Sequence, residues 1–184
     1  MKALNRLLSS CFILSILLTF SLFISTANAS TTQWPLHSKG EVRYLRMIKV
    51  YDISLYSPSQ VTADNILSAN ISKCLKLDYR VGLTVDKFRL ATSKILKRQH
   101  TTEFLAKIEE PLNQLQMAYQ PVKKGDTYTL CYNGKTQIMQ LDINDKKLVE
   151  IKSADLAKAY LGIWLSKNQP ISGPLFRTFF PNKT

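Results

Sequence analysis

Polar and apolar residues alternate along several parts of the chain in the way that β-strands require. Residues 41–56 are dominated by β-branched, aromatic and apolar side chains, and Pro58 ends this stretch. The pattern predicts one long strand or two strands joined by a bend. In residues 75–81 every second side chain is apolar and those between are charged, which predicts a strand with one solvated face.

A β-hairpin is predicted in the second half of the chain. Residues 127–132 and 137–141 have a strand-like composition, and Asn133-Gly134 lies between them. Because Asn and Gly adopt positive φ readily, this dipeptide is a strong signal for a tight hairpin turn. A further strand is predicted at residues 147–151, after a turn at Asn144-Asp145.

Apolar residues at helical spacing predict the remaining elements. Thr84 caps the first predicted helix, and a second pattern covers residues 104–115, where Pro111 is expected to kink or split the helix. Ser153 begins another amphipathic helix, and a short helix is predicted over residues 173–180. The order β, β, α, α, β, β, β, α, α predicts an α+β domain in which helices gather on one side of an antiparallel sheet.

The beginning of the chain has the composition of a secretory signal. A basic start precedes residues 7–24, which are almost wholly apolar or hydroxylic, and Ala27-Asn28-Ala29 gives a small-x-small cleavage pattern. The alternative is an uncleaved anchor, because about 18 apolar residues can span a bilayer. Most of this apolar run follows Cys11, whereas a lipoprotein signal needs the apolar run to precede its cysteine, which argues against a lipoprotein. We expect a cleaved signal peptide at residues 1–29 and one exported domain at residues 30–184.

The charge of the chain narrows the classes of partner. There are 25 Lys and Arg residues against 13 Asp and Glu, which gives a formal net charge of +12. Such a charge suits a nucleic acid, an anionic membrane surface or an acidic small ligand, and export argues against nucleic acid. The basic residues are spread without a run of five, as on a solvated surface.

Cysteines and histidines give no sign of catalysis or metal binding. Cys74 and Cys131 remain after removal of the signal, and either a disulfide or separate burial fits their strand-like surroundings. Neither cysteine has an activating base beside it in sequence. His37 and His100 lack the spacing of metal ligands. We therefore expect no metal and no cofactor.

Four segments of the chain together resemble the bacterial chalcone isomerase-like proteins. The first is Lys49-Val50-Tyr51-Asp52-Ile53-Ser54-Leu55-Tyr56, within residues 40–56, and the others, in the family's order, are residues 75–79, 125–128 and 159–165. The resemblance implies an open-faced β-sandwich, in which helices cover one face of a large antiparallel sheet and a ligand cleft lies between them. Together with the signal peptide, it points to the periplasm of a Gram-negative bacterium.

The resemblance also argues against isomerase activity. Lys39 stands where the plant enzymes have an arginine, and Tyr51 stands where they have a threonine. Phe88 and Ile95 occupy the positions of a helix tyrosine and asparagine, and Ile163 that of a late polar residue. Phenyl and aliphatic groups cannot donate hydrogen bonds to a developing oxyanion, so the electrostatic part of catalysis would be missing. We expect no catalytic residues.

Fatty-acid-binding members of the same superfamily pair a basic residue with a tyrosine, and this chain resembles them. A carboxylate in a partly dry pocket needs a cation and a hydroxyl donor, whereas an acyl chain needs only apolar walls. Lys39 or Arg43 could supply the charge and Tyr51 the hydroxyl, with Arg46 left open by the register. Strand alternation places Lys39, Arg43 and Tyr51 on one face if no bulge intervenes. The predicted ligand-binding residues are Lys39, Arg43, Tyr51, Phe88, Ile95 and Ile163.

Each of these residues also has a purely structural interpretation, and two other functions remain open. Tyr51 can fill the sheet's core, Arg43 can be an exposed strand cation, and Phe88 and Ile95 can be helix packing. The first alternative function is an isomerase or lyase acting on a phenolic or enone substrate, with Tyr51 as general acid. The second is a module that docks on an envelope protein or on anionic lipid head groups. For the leading hypothesis we expect a non-catalytic monomer that binds a small amphipathic anion in the cleft between sheet and helices, with a fatty acid as the first candidate and a phenolic compound as the other.

Overall fold

A computed structural model describes residues 34–181, and within this range one antiparallel sheet carries five helices. Its strands are hydrogen-bonded in chain order from β1 to β6. The strands are β1 (Leu36–Tyr44), β2 (Ile48–Tyr56), β3 (Lys73–Tyr79), β4 (Thr127–Asn133), β5 (Ile138–Ile143) and β6 (Lys146–Lys152). The helices are α1 (Val85–Gln99), α2 (Thr102–Lys107), α3 (Glu109–Met117), α4 (Ala154–Leu165) and α5 (Gly173–Phe179).

The two faces of the sheet have different chemistry. Residues that pair across β2, β3 and β4 share a face, and one such row, Ile53, Leu77 and Tyr128, is buried against the helices. The neighbouring row on the opposite face begins with Asp52 and Asp78, which are polar. This division confirms the predicted open-faced β-sandwich with helices on one face of a large antiparallel sheet.

The first predicted strand region is a hairpin. β1 and β2 pair antiparallel, and the amide of Met47 donates to the carbonyl of Tyr44, 3.1 Å away, to close the turn. Leu45 and Arg46 in this turn have φ values of 49° and 62°. Of the two possibilities that the pattern left open, the structure therefore shows two strands.

The predicted helix starts are confirmed where a hydroxyl side chain caps them. Thr84 accepts a hydrogen bond from the amide of Lys87 at the start of α1, and Ser153 accepts one from Leu156 at the start of α4. The second helical pattern is split into α2 and α3. Pro111 lies in the first turn of α3, where its missing N–H leaves no intrahelical bond unmade.

The hairpin of β4 and β5 is confirmed, but its predicted tight Asn133-Gly134 turn is wrong. The positive φ of this connection lies at Gln137, with φ 57°, and the loop is longer than a two-residue turn. Gly134 is required for another reason, because a Cβ at this position would overlap the backbone of Asn70. The Asn144-Asp145 turn is confirmed, with φ values of 49° and 62°.

A disulfide joins Cys74 of β3 to Cys131 of β4, which decides between the two alternatives for these cysteines. The two residues are directly paired in the register of the strands. No helix between residues 34 and 181 is both long enough and apolar enough to cross a bilayer. The predicted signal peptide, residues 1–29, lies outside the described residues.

Candidate cavity between sheet and helices

A cavity of about 840 Å³ lies between the sheet and the helices α1 and α4. This volume is within the range of ligand pockets in proteins. Apolar and aromatic side chains from β1 to β5 form one wall, and side chains of α1 and α4 form the other. The exposed lining residues mark its mouth at the β1–β2 turn and the first half of α1, whereas Tyr51, Tyr79 and Trp164 line its buried part.

Two tyrosines present hydroxyl groups at the buried part of the cavity. The indole N–H of Trp164 donates to the hydroxyl oxygen of Tyr51 over 2.9 Å, so the phenolic hydrogen of Tyr51 remains available to another acceptor. The hydroxyl of Tyr79 makes no hydrogen bond within the described residues. The two rings meet edge to face, with centroids 5.4 Å apart.

The environment keeps these phenols in the neutral form. Burial raises the pKa of Tyr51, and burial also raises the pKa of Tyr79 well above the usual value for a tyrosine. An ionised ligand group would meet the same cost of desolvation in this part of the cavity. Tyr51 and Tyr79 are therefore hydrogen-bond donors at neutral pH, and they favour an uncharged acceptor.

Other hydroxyl groups along the wall bond to each other or to the backbone. The hydroxyls of Tyr119 and Tyr160 lie 2.6 Å apart, and Thr92 lies 3.5 Å from Tyr119. Tyr128 donates to the carbonyl of Gln120 over 2.6 Å. These groups are satisfied inside the protein and hold the wall in one arrangement.

Charge is confined to the mouth of the cavity. Among the described residues, Arg43 and Lys87 are the charged side chains in its lining, and both are exposed. The described residues contain no group of three or more His, Cys, Asp or Glu residues arranged to hold a metal ion. The cavity thus suits a largely apolar molecule with one oxygen-bearing end.

Sequence comparison shows the family. The sequence model of the family described as chalcone isomerase-like matches residues 23–175. The chain belongs to the chalcone isomerase-like family. No curated protein matches the chain.

A solved structure shows the same chalcone isomerase-like fold. It is the crystal structure of a fatty-acid binding protein from Arabidopsis thaliana, which is 16% identical to this chain, with a TM-score of 0.58. The match covers 78% of this chain and 82% of the plant protein. At this level of identity the likeness shows the shared fold.

In this chalcone isomerase-like chain a bulge removes Lys39, one of the predicted site residues, from the cavity and leaves Arg43, another, at its edge. The register of β1 and β2 shifts between Val42 and Arg43, so that Val42, and not Glu41, pairs with Tyr51. Lys39 therefore lies on the face opposite Tyr51, where it is exposed. The common face of Lys39, Arg43 and Tyr51 was expected only in the absence of a bulge, and it is not formed here, because the one-residue shift places Lys39 and Arg43 on the face opposite Tyr51.

Arg43 reaches only the edge of the cavity. Its guanidinium donates to the carboxylate of Glu41 over 2.5 Å and to the carbonyl of Met47 over 3.1 Å. The hydrogen bond from Arg43, followed by that from Lys49, lowers the pKa of the Glu41 carboxyl. Lys49 also forms an ion pair with Asp52 at 2.5 Å. The charges of Arg43 and Lys49 are therefore paired with carboxylates on the outer face of the sheet, and Arg43 borders the cavity only at its mouth.

The other four predicted site residues come together in the cavity wall. Tyr51 projects from β2, Phe88 and Ile95 project from α1, and Ile163 projects from α4. Ile95 and Ile163 are buried, whereas Phe88 is half-buried. The ring of Phe88 packs against the ring of Tyr79, with the two centroids 5.8 Å apart. Their contact with a ligand stays a prediction.

Two residues of the cavity were missed by the sequence analysis. Tyr79 is the last residue of β3, and its parity with Leu75 and Leu77 could have placed it on the helix-facing side. Trp164 lies on the amphipathic helix that was predicted to begin at Ser153, but it was not among the predicted ligand-binding residues. Its hydrogen bond to Tyr51 joins residues 113 positions apart in the chain, and a local sequence pattern cannot predict a contact between such distant residues.

Proposed function

We propose that this protein is exported and binds a small amphipathic molecule in the cavity without catalysing a reaction, with a fatty acid as the leading candidate ligand. The observation that carries the proposal is the large apolar cavity with two available phenolic hydroxyls, from Tyr51 and Tyr79, in its buried part. The apolar walls accept an acyl chain, and the hydroxyls donate to the oxygen of its head group. The fatty-acid-binding activity named for the structurally similar plant protein supports the same class of ligand.

The side chains at the family's catalytic positions support a binding function over catalysis. Phe88, Ile95 and Ile163 line the cavity and have no group that can donate a hydrogen bond or move a proton. Such side chains extend the apolar surface of the cavity at positions where the plant enzymes have polar groups. They favour retention of an acyl chain over polarisation of a ketone.

The proposal is tested by calorimetric titration of residues 30–184 with saturated fatty acids of increasing length. Each methylene group that enters the cavity should contribute about 0.8 kcal/mol, or about fourfold in affinity, until the cavity is full. Affinity that is independent of chain length, or no saturable binding to folded and delipidated protein, would refute the proposal.

Tyrosine variants locate the head group. Tyr51→Phe and Tyr79→Phe should each weaken binding by about 1 kcal/mol, because each removes one hydrogen-bond donor. Tyr56→Phe is the matched control, since Tyr56 lies in the same strand as Tyr51 but outside the cavity lining. Equal losses in all three variants would show that the head group lies elsewhere.

The protonation state of the ligand gives a second signature. Because the buried part of the cavity offers donors and no cation, a fatty acid should bind there un-ionised. Its affinity should fall up to about tenfold per pH unit above the pKa of the free acid, whereas the affinity of its methyl ester should be independent of pH. Tighter binding of the acid than of the ester at pH 8 would instead indicate a carboxylate site.

The disulfide supports the export part of the proposal, because disulfides persist in oxidising compartments outside the cytosol. The expected product is a chain that begins at Ser30 in the extracytoplasmic fraction. N-terminal sequencing of the protein recovered from each cellular fraction tests this. Recovery of the intact chain, including Met1, only from the cytosol would overturn it.

A further inference from the structure

Exposed apolar side chains cluster at the mouth of the cavity. Seven large hydrophobic residues are exposed in the described part of the chain, and five of them belong to this region. We define the mouth patch as Tyr44, Leu45, Met47, Ile48 and Leu90. Leu45 and Met47 are 67% and 74% exposed at the tip of the β1–β2 turn, and Leu90 is 72% exposed on α1. All members except Met47 line the cavity, so the patch surrounds its opening.

The turn at the centre of the mouth patch has a sequence that its backbone does not favour. Leu45 and Arg46 have φ values of 49° and 62°, the same as those of Asn144 and Asp145 in the turn between β5 and β6. Asn and Asp tolerate this left-handed conformation, whereas a leucine is strained in it. The β1–β2 turn therefore retains an exposed leucine at a cost in stability, which is typical of residues kept for function.

Cations without acidic partners lie beside the mouth patch. Arg46 is at the tip of the turn, and Lys87 lines the cavity mouth one helical turn before Leu90. Neither residue forms a salt bridge within the described residues, in contrast to Arg43 and Lys49. Apolar side chains surrounded by uncompensated basic residues are complementary to the interface of an anionic bilayer.

We infer that the mouth patch docks on an anionic lipid surface, with Leu45 and Met47 inserted among the head groups and Arg46 and Lys87 facing lipid phosphates. In this orientation the cavity opens toward the bilayer, and an amphipathic ligand can pass between membrane and cavity without crossing water. The docking rests on the mouth patch and on the cations Arg46 and Lys87 beside it. Only the exchange of ligand rests on the proposed function.

Co-sedimentation of residues 30–184 with vesicles tests the docking. Vesicles of equal parts phosphatidylglycerol and phosphatidylcholine should bind the protein, pure phosphatidylcholine should bind it at least fivefold more weakly, and added salt should weaken binding. Met47→Ser should reduce binding at least fivefold. Met117→Ser is the matched control, because Met117 is 72% exposed on α3 and does not line the cavity.

Two further variants separate docking from folding. Leu45→Asn should weaken vesicle binding while leaving the melting temperature equal or higher, because Asn suits the left-handed backbone at this position. Arg46→Gln should weaken binding about fivefold. Lys135→Gln, in the loop between β4 and β5, should not alter binding.

Several results would overturn the inference. One is wild-type protein that does not bind anionic vesicles, and another is an equal loss in Met47→Ser and Met117→Ser. Dimerisation in the absence of lipid that Met47→Ser abolishes would assign the mouth patch to a second copy of the chain. Protein that binds fatty acid in solution but not vesicles refutes only the docking, whereas protein that binds vesicles but no fatty acid refutes only the proposed function.

Discussion

Removal of the disulfide between Cys74 and Cys131 should cost the domain a large part of its stability. The two cysteines are 57 positions apart in the chain and directly paired on β3 and β4 in the middle of the sheet. A crosslink of this kind restricts the unfolded chain, because it closes a long loop that would otherwise be free. The stabilisation therefore acts mainly on the unfolded state.

The length of the loop that the disulfide closes gives the size of the expected loss of stability. For about 57 residues, the loss of chain entropy on crosslinking corresponds to about 4 kcal/mol at 25 °C. Domains of this size are typically stable by only 5–15 kcal/mol in total. Cys74 and Cys131 are 1% and 5% exposed, so replacing both with alanine also removes buried sulfur atoms from packed positions. The variant should consequently lose slightly more stability than reduction alone.

Urea unfolding measures both effects. Three samples are compared, namely the oxidised protein, the same protein reduced with dithiothreitol, and the double variant Cys74→Ala/Cys131→Ala. With a slope of about 2 kcal/mol per molar urea, a loss of 4 kcal/mol moves the midpoint down by about 2 M. The reduced protein isolates the crosslink, because its atoms are otherwise unchanged.

A loss below about 1 kcal/mol in the reduced protein would refute this reasoning. It would mean that the unfolded chain already keeps these two segments close together, so that the disulfide removes little entropy. If the expected loss is found, the domain gains its full stability only in an oxidising compartment. That result would agree with the proposed export.

Two further predictions concern residues outside the cavity. Burial lowers the pKa of Lys73 to about 8, so the unfolded chain binds more protons above that pH, and stability should rise by up to about 2 kcal/mol between pH 8 and pH 9.5. Urea unfolding measured across this pH range should show no such rise in the free energy of unfolding for Lys73→Met. If the variant and the wild-type protein have the same dependence of stability on pH, the assignment to Lys73 is contradicted. Gly134→Ala should lose about 1–3 kcal/mol in thermal unfolding, because the new Cβ overlaps the backbone of Asn70. Lys135→Ala, in the same loop, should be nearly neutral, and equal effects of the two variants would show that the loop relaxes.

Local chemistry made most of the elements predictable. Thr84 and Ser153 cap their helices with bonds to amides only three residues ahead, so the signal and the structure occupy the same short segment. The alternation in residues 75–81 likewise reports directly on the two faces of β3. Together with the family resemblance, these patterns were enough to predict the fold.

The candidate site was only partly predictable, because its chemistry depends on register and on distant contacts. Phe88, Ile95 and Ile163 could be placed from helical spacing and family position. The place of Lys39 depended on a bulge that no residue type signals, and the role of Trp164 depended on a partner in another element. Periodicity records which side chains are apolar, but it does not record where two strands slip by one residue.

That bulge determines which side chains of β1 face the cavity. Without it, Glu41 would pair with Tyr51, and Arg43 and Lys39 would share the face of the cavity with an acid beside them. With it, the charged side chains form ion pairs on the outer face, and the cavity keeps neutral phenols with an apolar wall. Such a wall supports the proposal that the ligand binds as a neutral amphiphile, which is also the form that partitions most readily into a bilayer. The register of β1 and β2 thus keeps the charged side chains of β1 out of the interior of the cavity. An uncharged interior and an apolar mouth flanked by cations both favour the proposed uptake of a ligand from a membrane.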